Sequence, residues 1–121
     1  MKLLALTRSD DRELVLVNMA NALTVEPSFG TAVIRFNADR ENRNLIKVKE
    51  TIEEIEARLP EGWTVFTRSR DKELILVNMA NCVSVEPSYS STVVRFDADG
   101  ESRNYITVKE TVEEIVTRTE D

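Results

Sequence analysis

The chain carries the stretch ELVLVNMAN at residues 13–21 and repeats it as ELILVNMAN at residues 73–81. The four consecutive aliphatic residues in each stretch predict a strand that is buried on both faces. The asparagines that follow predict a turn, because Asn side chains hydrogen-bond nearby backbone groups and tolerate left-handed geometry. Around these stretches, Thr7–Arg58 aligns without a gap with Thr67–Arg118, and 33 of the 52 positions are identical. We therefore expect an internal tandem duplication of one small unit, at residues 1–60 and 61–121.

Each unit is predicted to contain about five short strands. The first two are expected at 2–7 and 13–17, with counterparts at 63–67 and 73–77. A third at 23–26 should end at Pro27, which cannot donate a hydrogen bond to a central ladder. Alternating apolar residues predict two further strands at 32–36 and 46–49, joined by a hairpin turn over 37–44 and, in the second unit, over 97–104.

One helix should close each unit. Thr51 followed by Glu54 is a capping-box pattern, and Thr111 with Glu114 repeats it. Only Pro60-Glu61-Gly62 separates the first helix from the second unit, so the two units must pack together. We predict an α+β fold of two similar units, each a small antiparallel sheet of about five short strands followed by one C-terminal helix. The units should pack with pseudo-two-fold symmetry as one compact domain.

The composition excludes several kinds of chemistry. The chain has no histidine and one cysteine, which excludes His-based nucleophilic catalysis and metal sites built from His or several thiolates. Three glycines are too few for a glycine-rich phosphate loop. We therefore predict that the protein is not an enzyme and has no cofactor and no metal site. The lone cysteine, Cys82, aligns with Ala22, which indicates a small buried slot.

The charge and the hydropathy bear on location and partners. The net charge of −6 disfavours nonspecific nucleic-acid binding. No apolar run is long enough to cross a membrane, so we expect a cytoplasmic protein with no membrane partner.

Acidic clusters have simple structural interpretations. Residues 97–101, DADGE, resemble the start of a calcium loop but lack its later acidic ligand, so we interpret them as a hairpin turn. Further carboxylates lie near the start of each helix, where the helix dipole favours negative charge. We interpret this group as solvated helix faces; its members are Glu50, Glu53, Glu54, Glu56, Glu110, Glu113 and Glu114.

Basic residues are the best candidates for a binding site, because most of them occur once in each unit. A symmetric arginine groove could bind an anion, a nucleotide or an acidic peptide. The alternative is cross-strand pairing of Arg35 or Arg95 with Glu13, Glu26 or Glu73. The candidate residues are Arg8, Arg35, Arg43, Lys47, Arg68, Arg95 and Arg103.

The unit also resembles the small FlbD/SwrD family of flagellar proteins, over nearly the whole chain and once per unit. That resemblance implies a motility-associated role without enzymatic activity. The residues that carry it are Leu6-Thr7-Arg8, Val17-Asn18, Val25-Glu26, Thr31–Phe36 and Val48–Ile55, and then Phe66-Thr67-Arg68, Val77-Asn78, Val85-Glu86 and Val108–Ile115.

Together these features favour a non-enzymatic interaction module that binds a protein partner or supports an assembly, in a motility-related role. The alternative hypothesis is a regulator that binds RNA or an anionic small ligand through the arginine-containing sheet face. A third hypothesis is an inhibitor protein. Exposed strand edges could in addition pair in a homodimer.

Overall fold

The computed structural model describes residues 3–119, which form ten strands in three antiparallel sheets and two short helices. Lys2, predicted to begin the first strand, lies outside the described residues. The strands are β1 Leu4–Thr7, β2 Leu14–Val17, β3 Thr24–Ser28, β4 Thr31–Arg35, β5 Leu45–Val48, β6 Trp63–Thr67, β7 Leu74–Asn78, β8 Ser84–Ser88, β9 Ser91–Arg95 and β10 Tyr105–Val108. The helices are α1 Ile52–Glu56 and α2 Val112–Thr119, and single 3₁₀ turns lie at Met19–Asn21 and Met79–Asn81.

The strands are divided unequally among the sheets. β1 and β2 form a two-stranded sheet, and β10, β9 and β8 form a three-stranded sheet. The central sheet has five strands in the order β5-β4-β3-β7-β6, so it contains strands from both halves of the sequence. The connection between the halves is the antiparallel pairing of β3 with β7, in which Thr24 lies opposite Val77 and Val25 opposite Leu76.

This arrangement corrects the predicted fold class. The protein is mainly β, and it is not two like units that each consist of one sheet and one helix. The expected tandem arrangement with pseudo-two-fold symmetry is also wrong, because β3 pairs with β7 whereas β2 and β8 do not pair with each other. The pairing of β3 with β7 is nonlocal, and through it the central sheet continues across the boundary that the sequence repeat suggested at residue 60.

The two aliphatic stretches have different environments. In β7, Ile75, Leu76 and Val77 are all buried, as a strand with neighbours on both sides should be. In β2, Leu14 and Leu16 are 71% and 61% exposed. The prediction of burial on both faces therefore holds for Ile75, Leu76 and Val77 of β7 but not for Leu74, which is 57% exposed, and it is wrong for β2, which lies at a sheet edge.

Two apolar cores lie under these sheets, and both contain residues of both halves. Leu76 of β7 packs in the core of the first half, with Leu6, Val25 and Ile55. Leu23 packs in the core of the second half. The fold therefore depends on the contact between the halves.

Local turn and cap chemistry agrees with the sequence. The Thr51 hydroxyl accepts a hydrogen bond from the Glu54 backbone N–H at 3.2 Å, and the Glu54 carboxylate accepts one from the Thr51 N–H at 2.9 Å. Pro27 lies inside β3 rather than after it, but the pairing of β3 with β7 stops at Val25. Pro27 therefore has no ladder partner on that side that would need its missing N–H.

Candidate functional site

A cleft of about 350 Å³, lined by several charged side chains, opens between the two halves of the chain. Each half contributes charged side chains from strand ends and loops. Glu26 lies on β3 and Arg40 in the β4–β5 loop, while Arg68 and Arg70 follow β6 and Arg103 precedes β10. The β4–β5 loop is held against the second half because the Ala38 N–H donates to Asn104 Oδ1 at 2.8 Å.

Glu26 is the buried centre of the cleft. Its carboxylate accepts hydrogen bonds from Arg68 Nη1 at 2.6 Å and from the Thr24 hydroxyl at 2.8 Å. Both Glu26 and Arg68 are only 9% exposed, so the two charges are mostly removed from water. Such a pair is stable only when each partner is well hydrogen-bonded, and here both are.

Asp71 completes the pair on the other side of Arg68. Its two carboxylate oxygens accept from Arg68 Nε at 3.0 Å and Nη2 at 2.8 Å. The hydrogen bond from Arg68 lowers the pKa of Asp71 to about 2. Burial by itself would lower the pKa of Arg68, but the hydrogen bond to Asp71 and the charge of Glu26 raise it. Arg68 is therefore a fixed cation with a structural role.

Arg35 lies beside the same carboxylate. Its Nε is 3.4 Å from Glu26 Oε2, and its side chain is 15% exposed. Arg35 Nε and Nη1 are buried without a hydrogen-bond partner among the described residues. Arg35 is thus next to Glu26, as the ion-pair alternative expects, but its hydrogen-bonding capacity is not used up.

Arg40, Arg70 and Arg103 are the exposed cations that line the cleft. Burial, followed by the charges of Arg68 and Arg40, lowers the pKa of Arg70, so these guanidinium groups repel one another. Among residues 3–119, Asp71 is the carboxylate that forms an ion pair with Arg70, at 3.8 Å, and it already binds Arg68 on both oxygens. An anion between Arg40 and Arg70 would relieve this repulsion.

An exposed aromatic side chain lies next to these arginines. Phe29, at the tip of the β3–β4 hairpin, lines the same groove as Arg35, Arg40 and Arg70. Its side chain is fully exposed, and its backbone has a φ of 49°. The groove therefore combines guanidinium groups with a flat apolar surface.

The candidate residues from the sequence do not form one symmetric groove. Arg68 lines both the cleft and the adjoining groove, Arg103 lines the cleft at 3.7 Å from Glu41, and Arg35 lines the groove. Arg8 forms an exposed pair with Asp11, and Arg95 lies 3.5 Å from Glu86 with its guanidinium over the Tyr105 ring. Arg43 and Lys47 are exposed and line neither part of the cleft.

Arg40 and Arg70 were not among the predicted site residues. The predicted residues mostly recur in both halves, whereas these two align with Gly100 and Asp10. The signal in the sequence that marks them is a difference in charge between the halves.

The helix carboxylates are only partly solvated. Glu50 accepts hydrogen bonds from the Thr7 N–H at 3.0 Å and from the Thr7 hydroxyl, and Glu110 does the same for Thr67. The interpretation as solvated helix faces is therefore wrong for these two, which connect the end of the first strand of each half to the start of the helix. Over residues 3–119, no group of three or more His, Cys, Asp or Glu side chains could hold a metal ion. None of the helices in that range is long and apolar enough to cross a membrane.

Comparison with known proteins gives a likeness of fold. No protein-family model matches the chain, and no curated protein matches it. A solved structure from Bacillus cereus, described as the LytTr DNA-binding domain of a methyl-accepting/DNA response regulator, is similar with a TM-score of 0.58. The two sequences are 17% identical, and the match covers 90% of this chain and 87% of the other.

The resemblance to the FlbD/SwrD family is therefore wrong, since the solved structure that the chain resembles is a different kind of domain. The residues that suggested that family have local structural roles here. Thr51 and Glu54 cap α1, and Thr7 binds Glu50. Such contacts recur in unrelated small β proteins, so they are weak indicators of a family. The chain is similar in fold to a DNA-binding domain.

Proposed function

We propose that the chain is a non-enzymatic regulatory module that binds double-stranded DNA through the cleft between its halves. The observation that carries the proposal is the pair of exposed guanidinium groups, Arg40 and Arg70, which line one cleft beside a buried Glu26–Arg68 pair. Arginine forks bind phosphate oxygens in two-point geometry, and phosphate contacts supply much of the affinity of DNA-binding proteins. The similarity of fold to a domain described as DNA-binding supports the same function.

The acidic composition limits how this binding works. With a net charge of −6, the protein as a whole repels a phosphate backbone. Binding must therefore rest on short-range contacts in the cleft. Added salt weakens those contacts but also weakens the overall repulsion, so the two effects of salt on affinity partly cancel. We expect weak nonspecific binding and a shallow salt dependence, in contrast to a strongly basic DNA-binding protein.

Phe29 gives the cleft a second means of contact. An exposed aromatic ring beside arginines can stack on an unpaired base or press against the sugar edge of a groove. Tyr89 occupies the equivalent hairpin tip in the second half and is equally exposed, but it lies in a different groove, with Lys109 and Glu113. Tyr89 is therefore a natural control for Phe29.

The experiment is fluorescence anisotropy with a labelled random-sequence DNA duplex at several salt concentrations. Arg40→Ala with Arg70→Ala should weaken binding at least tenfold at low salt and make the salt dependence shallower still, because two phosphate contacts are removed. Lys49→Ala with Lys109→Ala removes the same charge from exposed positions outside the cleft, and it should change affinity by less than about threefold.

Phe29→Ala should weaken binding by several-fold, whereas Tyr89→Ala should not. Equal losses for both double variants, or no binding of the unaltered chain at low salt, would contradict the proposal. A duplex RNA and a single-stranded DNA in parallel distinguish duplex DNA from the other nucleic acids. Tighter binding of RNA would overturn the DNA assignment in favour of an RNA-binding regulator.

A further inference from the structure

The contact between the halves joins two unlike strand edges. The outer edge of β3 pairs with the outer edge of β7, and the Asn78 N–H donates to the Leu23 carbonyl at 2.9 Å. By sequence alignment, β7 corresponds to β2 and β3 corresponds to β8. The contact is therefore heterologous: one type of edge from one half meets the other type from the other half. Such a contact leaves one edge of each type unused.

We call this contact between β3 and β7 the joint. Side chains reinforce it at three points. Asn78 Nδ2 donates to the Ala22 carbonyl at 3.0 Å, and Asn81 Nδ2 donates to the Ala20 carbonyl at 2.8 Å. Arg68 reaches across to Glu26. The joint thus has a backbone ladder, two amide clamps and one ion pair.

The unused edges are β2 and β8. Within residues 3–119, β2 pairs only with β1, and β8 pairs only with β9. Leu16 of β2 is 61% exposed, whereas its counterpart Leu76 is 1% exposed in the joint. Val85 of β8 is partly exposed, whereas its counterpart Val25 is fully buried.

The two free edges retain the residues that make the joint. Residues 13–21 differ from 73–81 only by Val15 in place of Ile75. Residues 82–88 differ from 22–28 only by Cys for Ala, Val for Leu and Ser for Thr. Arg8 is held by Asp11 in the same way as Arg68 is held by Asp71, and Glu86 is half exposed beside Arg95. The free β2 edge therefore carries Arg8 and the free β8 edge carries Glu86, the counterparts of the Arg68 and Glu26 that pair across the joint.

Apolar surface is also matched at the two ends. Leu14 and Leu16 are exposed along β2, and Val83 and Val116 are 56% and 52% exposed near β8 and on α2. Val116 replaces Glu56 of α1, so the helix beside the free β8 edge is more apolar than its counterpart at the joint. Two complementary strand edges that both carry exposed apolar side chains can pair with each other between two copies of the chain.

We propose that β8 of one copy pairs with β2 of a second copy, so that the chain associates head to tail. The expected register places Ser84 opposite Val17 and Val85 opposite Leu16, with Arg8 of one copy on Glu86 of the other. Asn18 and Asn21 would clamp the carbonyls of Cys82 and Ala80. Because the joint is heterologous, it can be repeated, and it produces open chains or a closed ring rather than a two-fold dimer.

Sedimentation velocity from about 10 µM to 1 mM, the range of weak association, tests the proposal. The sedimentation coefficient should rise with concentration. Leu16→Glu should raise the dissociation constant at least tenfold, because its counterpart Leu76 is buried in the joint. Leu14→Glu is the matched control, because its counterpart Leu74 stays 57% exposed at the joint; it should shift the constant by less than about threefold.

Exchanging the charges of Arg8 and Glu86 tests whether the β2 edge of one copy pairs with the β8 edge of another. Arg8→Glu and Glu86→Arg should each weaken association, because each places like charges across the joint. The double variant Arg8→Glu with Glu86→Arg should restore association, and so should an equimolar mixture of the two single variants. The internal pair Arg68–Glu26 is unchanged in all of them, and circular dichroism verifies folding.

A chain that remains monomeric up to 1 mM contradicts the proposal. Association that persists unchanged in Leu16→Glu contradicts it as well, and so does failure of the double charge variant to recover. The proposal does not rest on DNA binding, since the free edges and the arginine cleft are different surfaces.

Discussion

Residues 7–11 and 67–71, TRSDD and TRSRD, have nearly the same sequence and the same local geometry but different surroundings. The guanidinium of Arg8 binds Asp11 and its side chain is 45% accessible. The guanidinium of Arg68 binds Asp71 in the same manner, but its side chain is 10% accessible because Glu26 and the first half cover it. The comparison shows that the local turn fixes the arginine, while the contact between the halves decides what that arginine contributes to stability.

The pKa values separate the effect of the local turn from the effect of the contact between the halves. Asp11 and Asp71 both have their pKa lowered to about 2, in each case mainly by the side-chain hydrogen bond from the arginine. The arginine–aspartate pair is therefore equivalent in the two halves. What differs is the third charge, Glu26, which contacts Arg68 and has no equivalent at Arg8 in the part of the chain that the structure describes. Variants of Glu26 and Glu86 measure how much Glu26 adds to stability.

The largest effect is expected for Glu26→Gln in comparison with Glu86→Gln. Without the Glu26 charge, Arg68 and Arg35 are left buried with too few acceptors, which should cost about 3–5 kcal/mol of the free energy of unfolding. Glu86 is half exposed and lies 3.5 Å from Arg95, so its loss should cost at most about 1 kcal/mol. Urea denaturation, followed by circular dichroism at low protein concentration, measures both.

Similar losses for Glu26→Gln and Glu86→Gln would show that the contact between the halves adds little to stability. In that case the burial of Arg68 would have to be stabilised by Asp71 alone. A lower denaturant slope in Glu26→Gln would instead indicate that the halves separate before they unfold.

A smaller contrast is expected for Asn78→Ala and Asn18→Ala. Both side chains accept a hydrogen bond from the backbone N–H two residues later and cap a 3₁₀ turn. Asn78 is also 3% exposed and donates to the Ala22 carbonyl, so its loss leaves a buried acceptor with a poorer partner. Asn78→Ala should cost about 1–2 kcal/mol more than Asn18→Ala in the same denaturation experiment. Equal costs would mean that Asn81, which also reaches Ala22, is sufficient as a donor.

Much of the local structure follows from the sequence. Alternating and consecutive apolar residues predicted the positions of the strands, and Thr51 with Glu54 predicted the start of α1, because these signals depend on neighbours within a few residues. Which strands pair with each other does not follow from such local signals. The same aliphatic stretch becomes an edge strand in β2 and a central strand in β7, and only the position of β3 in space decides which.

The candidate site shows the same limit. Arg35, Arg68 and Arg103 were found because they recur, but recurrence also selected Arg8 and Arg95, which lie elsewhere. Arg40 and Arg70 come together only because the two halves meet at the cleft. Their alignment with Gly100 and Asp10 shows that the halves differ in charge at the cleft. A comparison that looks only for identical residues therefore passes over these two arginines.

The smallest contrast should lie between Asp11→Asn and Asp71→Asn in acid. A carboxyl whose pKa is lowered from 3.8 to about 2 in the folded state stabilises the fold above pH 3.8. That stabilisation is lost as the pH falls from 3.8 towards 2, when the folded protein must also take up the proton. Each asparagine variant should therefore be less stable than the unaltered chain at pH 6, and the gap should close over this window by a similar amount for both. Urea midpoints at several pH values measure it. If the gap closes for Asp71→Asn but is missing throughout for Asp11→Asn, the local pair itself differs between the halves, and the contrast between Arg8 and Arg68 cannot be assigned to Glu26.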